Sequence, residues 1–389
     1  MDQLKSVIPF LKQQPLVLIL LMSLSSIVEF AIFPYLTLYL KEQLRLDNEA
    51  AGLIVGSIAL IAACGAWLGG RLADRLGWLP MLRASSLLYG LIFLGLAATL
   101  RLEAVISLIV TLGICRLLME PALKTALVTY DDGSGKLFKL RYMTLVGGAI
   151  IGPLLSAALS TYGDRIGFKF AALFFAIYLI TTSLLKNTKD SATKDQTASS
   201  PVNWHALCVF IVLGFIFFLV FSQFETSLSL QLGANFGADG ISIYRTALLI
   251  NAALAIPLMH FTDRMLALIS LNVQVALGVL TMTVSFWLLF GATHSIWYVY
   301  IGAGLFTFGE VILFPLPEIA AAKLATKDNR GQMMGLIDLR YLGFFAGPAM
   351  GGALVNSPPP VPAFTLCALT LMIFPIYLFS TRKVTATQA

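Results

Sequence analysis

The chain has 389 residues, of which 58% are hydrophobic and 12% charged, against about 25% charge in a soluble protein. With a mean hydropathy of +0.86, this balance excludes a string of soluble domains. The formal net charge of +6 is scattered over short connections rather than gathered on one face, which excludes a nucleic-acid-binding role. A bilayer-spanning helix takes about 20 apolar residues.

Apolar stretches run at 16–40, 50–70, 79–100, 104–128, 138–162, 166–185, 204–232, 241–260, 266–290, 295–322, 332–355 and 361–380. They predict twelve membrane helices. The first is too long for a cleaved signal peptide and has no small-residue cleavage site. If the N-terminus is cytoplasmic, 18 of the 26 Lys and Arg residues fall on the cytoplasmic side and five on the other. The positive-inside bias therefore places both termini in the cytoplasm. The longest connection, residues 186–203, is polar and lacks periodicity. It reads as a cytoplasmic linker between a first half, 1–185, and a second, 204–389.

Cys64, Cys115, Cys208 and Cys367 all lie in apolar stretches with no CxxC pair, and the three histidines show no ligand spacing. No disulfide framework or metal site is expected. A GxxxxGK[ST] phosphate loop and the GxSxG and HExxH signatures are lacking, so the chain reads as neither a nucleotide-driven pump nor an enzyme.

Charges inside the spans carry most of the functional information, because ionisable groups in hydrocarbon are costly and usually face a bundle interior or wet cavity. Glu29 lies near the middle of the first span, on one stripe with Ser26, Phe33 and Thr37, with no basic residue in its own span. Glu310 sits near the middle of the tenth. Glu225 is nearer the periplasmic end of the seventh, on a face with Ser222, Thr226 and Ser229. Asp338 enters the cytoplasmic third of the eleventh. A half-desolvated carboxylate titrates upward and can load and release a proton, so these four are the candidates for proton coupling. Arg116 stands alone as a base near the middle of a span, with Glu120 at i+4 and Lys124 at i+8. Either the three neutralise one another along one helix, or Arg116 turns into the cavity, where it stabilises an anionic substrate or tunes a carboxylate across the bundle. Arg340 is long enough to snorkel; Asp338 needs a partner, and a cytoplasmic salt-bridge network is the expected one. Phe33, Tyr35, Tyr39, Gln223, Asn251 and Gln274 are candidates for substrate contact.

Two similarities recur at about half the chain length. GGRLADRLG, with Asp74-Arg75, is echoed 189 residues later by HFTDRML, with Asp263-Arg264. Leu140-Arg141-Tyr142 before GGAIIGPLL is echoed 199 residues later by Leu339-Arg340-Tyr341 before GFFAGPAMGG. Two matches in order, in equivalent spans, indicate duplication.

Together these features resemble the major facilitator superfamily over the whole chain. Gly70-Arg71-Leu72-Ala73-Asp74-Arg75-Leu76-Gly77 is similar to the first half of the family's loop 2–3 signature, although Trp78-Leu79 replace the usual basic pair. Gly148-x-x-x-Gly152-Pro153 resembles the signature of the proton antiporter branch, with Ser156-Ala157 in place of a glycine pair. A cleaner GPxxGG stands at Gly347-Pro348-Ala349-Met350-Gly351-Gly352, and Gly113-Ile114-Cys115-Arg116 resembles the fourth-span arginine motif. The resemblance implies an all-α membrane protein of twelve transmembrane helices in two pseudo-symmetric six-helix bundles. It also implies a cytoplasmic gate at Gly70, Asp74, Arg75 and Gly77, with the Asp74 carboxylate at a helix N-terminus near Gly331.

The expected function is secondary transport of a small organic molecule by alternating access. Proton-coupled efflux of a drug-like compound or a secreted metabolite such as a siderophore comes first. Proton-symport uptake and lipid flipping on the same scaffold are the alternatives. No cofactor is expected beyond the proton gradient. The partners are a small molecule and the lipid bilayer, with the chain acting as a monomer in a bacterial inner membrane.

Overall fold

The computed structural model describes residues 14–46, 48–160, 165–185, 204–265, 269–291, 295–326, 328–355 and 357–388. The connection 186–203 lies outside the described residues. The first six helices are α1 (Gln14–Glu42), α2 (Asn48–Leu76), α3 (Trp78–Ala98), α4 (Leu102–Tyr130), α5 (Lys136–Ser160) and α6 (Ile166–Thr181). Then follow α7 (Trp204–Glu225), α8 (Ser227–Phe236), α9 (Gly240–Met265), α10 (Leu271–Phe290), α11 (Ile296–Leu313) and α12 (Leu316–Leu324). The last three are α13 (Arg330–Ile337), α14 (Leu342–Val355) and α15 (Val361–Gln388). No strand occurs among the described residues. In hydrocarbon this is the economical solution, since a helix satisfies its own backbone.

Among the described residues, eleven stretches are long and apolar enough to cross a membrane. The remaining expected span, 332–355, is not the continuous helix that its hydropathy predicts. A 3₁₀ turn at Asp338–Tyr341 divides it into α13 and α14, for a reason given below. The seventh span bends between α7 and α8 at Thr226. The tenth bends between α11 and α12 at Pro315, which lacks a backbone donor. Leu53, Leu154, Ile180, Leu249 and Trp297 are 68–72% exposed. Such apolar exposure is a liability in water and the expected surface in lipid.

The chain forms two compact units. The first comprises residues 1–202 together with 322–338, and the second 203–321 with 339–389. In the first, α2 runs along α4, α1 along α5, and α3 against α4 and α6, while α13 lies on α2 and α4. In the second, α11 packs on α9 and α10, α14 on α7, and α15 on α7 and α10.

The same device closes the equivalent helix pair in each unit. A Cβ on Gly148 would stand 2.7 Å from Ser26 Cβ, and one on Gly152 2.6 Å from Phe30 Cβ, so α5 reaches α1 at backbone distance. In the second unit, Cβ atoms on Gly347 and Gly351 would collide with the hydroxyls of Ser222 on α7 and Ser227 at the start of α8. Small residues at this spacing let membrane helices approach closely, and Pro153 and Pro348 each follow the glycine at the contact. Between α2 and α3 the chain reverses at Gly77, whose φ of 92° lies where glycine is favoured. In the α4–α5 turn, Asp131 accepts hydrogen bonds from the N–H groups of Gly133, Gly135 and Leu137. The hydroxyl and N–H of Ser134 hold the neighbouring Asp132 carboxyl below its usual range.

Candidate functional site

The first unit encloses a cavity of ≈ 40 Å³ lined by Glu29, Arg116, Glu120, Tyr89, Phe93 and Phe175, among others. That volume suits about two or three waters and falls well short of a drug-sized ligand. Its aromatic wall is layered: Tyr89 and Phe175 stack at 4.3 Å with an interplanar angle of 4°, and Phe93 stands 5.8 Å from Phe175. Also on its wall, Arg116 Nη2 meets Glu29 Oε1 at 2.5 Å. Glu29 thus has a basic partner, supplied by α4 rather than by its own span, which its span alone gave no reason to expect.

The bases and acids of α4 do not neutralise one another along the helix in the main. Arg116 turns to α1. Glu120 accepts from Arg141 of α5 at 2.7 Å and lies 3.9 Å from Lys124. Lys124, fully buried, pairs closely with Asp338 at the end of α13. Glu29 and Arg116 thus form one ion pair at the cavity, while Arg141, Glu120, Lys124 and Asp338 form a chain of pairs inside the first unit that runs from a residue lining the cavity to the end of α13. Opposite charges taken out of water together hold only with such close pairing.

At the other end of α13, Asp74 accepts from the backbone N–H of Gly331 at 2.6 Å and of Gln332 at 2.8 Å. Free N–H groups and the positive helix end favour a carboxylate there. Arg330 donates to Thr129 of α4 at 3.3 Å. Gly70 and Gly331 face each other so closely that a Cβ on either would overlap the other's carbonyl. Arg75 is exposed. The side chains of Asp263 and Arg264, the repeat counterparts of Asp74 and Arg75, lie outside the described residues.

In the second unit Glu310 accepts from Asn251 Nδ2 at 2.7 Å, and Asn251 also donates to Thr307 at 3.0 Å. Glu225 ends α7 at the bend. Its side chain is exposed, its carbonyl accepts from Tyr244 at 2.5 Å, and its carboxylate has no hydrogen bond or ion pair among the described residues. The hydroxyls of Ser222, Thr226 and Ser229, placed on its face by the sequence, donate to backbone carbonyls within one turn of themselves.

Arg340 does not snorkel. It is 0% exposed and donates to Glu318 at 2.5 Å, with Glu318 itself 1% exposed. The guanidinium lies 5.2 Å from the ring of Phe218, 5.0 Å from that of Tyr341 and 5.9 Å from that of Phe314, a cation enclosed by aromatic faces. Two residues apart in sequence, Asp338 pairs with Lys124 and Arg340 with Glu318, and the 3₁₀ turn that divides the eleventh span begins with these two anchored residues. Glu318 escaped the sequence reading, although it follows Glu120 by 198 residues as Arg340 follows Arg141 by 199.

Besides Asn251, three of the candidate substrate contacts hydrogen-bond within the protein. Tyr39 is 3% exposed, packs edge-on against Phe168 and donates to Thr99 O. Gln223 is fully buried, donates to Gly347 O at 2.9 Å and accepts from Ser227 at 2.5 Å, tying α7 to α14. Gln274 donates to Ile269 O. The side chains of Phe33, Tyr35 and Thr37 lie outside the described residues. No group of three or more His, Cys, Asp or Glu able to hold a metal occurs among the described residues.

A family model described as Major Facilitator Superfamily matches residues 18–339. The chain is 25% identical to the uncharacterized MFS-type transporter YqjV of Bacillus subtilis, covering 90% of this chain and 89% of that protein. It is 29% identical to the multidrug resistance protein MdtH of Aeromonas hydrophila, over 84% and 83% of the two chains. It is 24% identical to the quinolone resistance protein NorA of Staphylococcus aureus, over 87% and 89%. Among solved structures, the human organic anion transporter MFSD10 (TETRAN) superposes with a TM-score of 0.77 at 17% identity, over 94% of this chain and 99% of that one.

Proposed function

The chain belongs to the major facilitator superfamily, and we propose that it exports a small organic molecule by alternating access, in exchange for protons. The observation that carries this reading is the Glu29–Arg116 pair on the wall of a water-sized cavity. A proton arriving on Glu29 cancels the charge that holds Arg116. Glu120 stands one turn further along the same helix and lines the same cavity, so the released guanidinium has a second carboxylate within reach. Glu120 is also contacted by Lys124, whose other partner is Asp338 at the end of α13, so a proton on Glu29 bears on the charges that reach that helix. The glycine contacts of α5 on α1 support the antiporter reading of Gly148, Gly152 and Pro153, because a dry, close helix pair denies ions a path. The relatives named for multidrug and quinolone resistance support efflux.

The test is efflux of fluorescent dyes, ethidium among them, from a bacterial host stripped of its own drug exporters, followed by reconstitution in liposomes with an imposed pH gradient. Export that stops when a protonophore collapses the gradient is the expected result. Dye handling that matches the empty vector, or is indifferent to the protonophore, overturns the reading.

We place the protein in a bacterial inner membrane, as a monomer with both termini cytoplasmic. A cysteine at Ser191, in a cysteine-free background, should resist impermeant thiol reagents in intact cells and react after lysis. Strong labelling before lysis reverses the orientation.

A further inference from the structure

The first turns of α7 have two faces. Ala206, Leu207, Phe210 and Leu213 are buried in the second unit, whereas His205, Cys208, Val209 and Val212 fall at i, i+3, i+4 and i+7 on the outer face. Across from them α15 divides in the same way. Ile373 and Tyr377 are buried, and Tyr377 donates to Asn272 of α10 at 3.1 Å, while Pro375 is exposed and Ile376 half-buried. Between the two outer faces lies a groove of ≈ 400 Å³, lined by His205, Cys208, Val209, Val212, Pro375 and Ile376. That volume falls within the range of about 300–1,000 Å³ that takes drug-sized molecules, where the cavity at Glu29 has room for water only.

The groove runs inward from an edge of the membrane. Seven residues of helix separate His205 from Val212, about 10 Å along the axis, starting where the polar connection 186–203 arrives. Trp204 is exposed beside His205, and tryptophan favours the boundary between headgroups and hydrocarbon. Further in, Leu371 and Met372 of α15 are exposed, as befits a surface in contact with lipid tails. The mouth is basic. Arg382 and Lys383 follow Pro375 and Ile376 at i+7 along α15, in the same helical register. No acidic residue occurs between Asp195 and Glu225, nor after Asp338.

In the first unit the equivalent helix ends are laced together. Gln14, at the start of α1, donates to the Leu184 carbonyl at the end of the sixth span at 3.2 Å and accepts from Tyr130 of α4. Val17 and Leu18 are fully buried one turn further on. The groove therefore belongs to one copy of the repeat and does not follow from the duplicated framework.

We propose that this groove is a binding site for an anionic glycerophospholipid, with one acyl chain lying between α7 and α15 and the phosphate at the basic mouth. The slot is apolar and opens onto hydrocarbon, which suits a chain. The mouth has positive charge with no acid to offset it, which favours a headgroup of net negative charge over a zwitterionic one. Basic openings between membrane helices hold anionic headgroups in this way. The site needs neither a proton nor the transported molecule. It stands on membrane insertion alone, so it and the efflux reading fail separately.

The experiment uses the full chain, purified in detergent and mixed with equimolar phosphatidylglycerol and phosphatidylcholine of identical acyl chains. Native mass spectrometry counts the lipids that stay bound. The parent should retain phosphatidylglycerol over phosphatidylcholine by at least about fivefold, the attraction of a single Lys or Arg for an anionic lipid surface. Cys208→Leu/Val212→Phe fills the groove from two positions that are already exposed, so it leaves the core intact and should abolish the preference. Arg382→Gln/Lys383→Gln leaves the groove open and should bring the two lipids close to parity. Leu94→Phe, on an exposed face of α3 in the first unit, should keep the parent's preference. Equal retention of both lipids by the parent reduces the groove to ordinary solvation by the bilayer and overturns the site. A preference that survives either double substitution overturns it as well, because the headgroup is then held elsewhere. So does a parent that runs as a dimer and becomes a monomer when the groove is filled, since the occupant is then a second copy of the chain.

Discussion

Glu29→Gln abolishes proton-driven export while substrate binding and energy-independent exchange stay measurable. Glutamine matches the shape of a protonated glutamate but cannot release a proton, so a carrier that depends on Glu29 for coupling is held in one half of its cycle. The structure adds a second consequence. Arg116, now 2.5 Å from the Glu29 carboxylate, loses its counter-charge permanently and turns to Glu120, mimicking the proton-loaded network. Glu29→Asp keeps a titratable group one methylene shorter and should keep part of the uphill activity. Uphill transport in a pH-gradient assay is the measurement. If Glu29→Gln leaves it intact, Glu310→Gln is the next variant. There the carboxylate is held by the amide of Asn251 at 2.7 Å, a neutral donor that stays in place when the acid is protonated. If both leave it intact, coupling passes through Glu225 or Asp338, or the carrier is not coupled to protons.

The spans were legible because hydrocarbon allows little choice: backbone polar groups must be satisfied within each segment, so apolar length alone marks a helix. The breaks were legible only in part. Pro315 announces the bend in the tenth span, since it removes a donor. Nothing in the hydropathy of 332–355 announces the turn at Asp338–Tyr341, because that turn is set by two ion partners over 200 and 22 residues away along the chain, Lys124 and Glu318.

Residue type told the sequence which groups were out of place in lipid, and spacing told it which shared a helix. Neither could say which way each charge faces. Arg116, Glu120 and Lys124 illustrate this. At i, i+4 and i+8 they suit a ladder along one helix, and the fold directs them to α1, α5 and the segment after α13 instead. Gln223 fails in the opposite direction. A polar side chain in mid-span suggests a wet face, yet Gly347 lets α14 come close enough for its carbonyl to take the amide, and the residue becomes a tie between helices.

The largest loss of stability is expected at the Arg340–Glu318 pair. Arg340 is among the largest fully buried side chains in the protein, and Gly214 leaves the space for its stem: a Cβ there would stand 2.8 Å from Arg340 Cβ. Glu318→Gln removes the carboxylate and leaves the guanidinium to the faces of Phe218, Phe314 and Tyr341. Aromatic faces supply about 2 kcal/mol to a desolvated cation, less than a buried unpaired charge costs. Removing one partner of such a pair destabilises by about 3–5 kcal/mol, whereas replacing both by apolar groups of similar volume is often neutral. Glu318→Gln should therefore unfold at markedly lower temperature in detergent micelles, and Arg340→Met/Glu318→Leu should recover most of the loss. The double variant also releases the second-unit anchor of the 3₁₀ turn without touching Lys124 or Asp338. It should thus fold nearly as well as the parent yet transport more slowly, because the 3₁₀ turn that follows α13 loses the partner that holds Arg340 in place. A double variant that is stable and fully active would show that the anchor on the second-unit side serves folding alone.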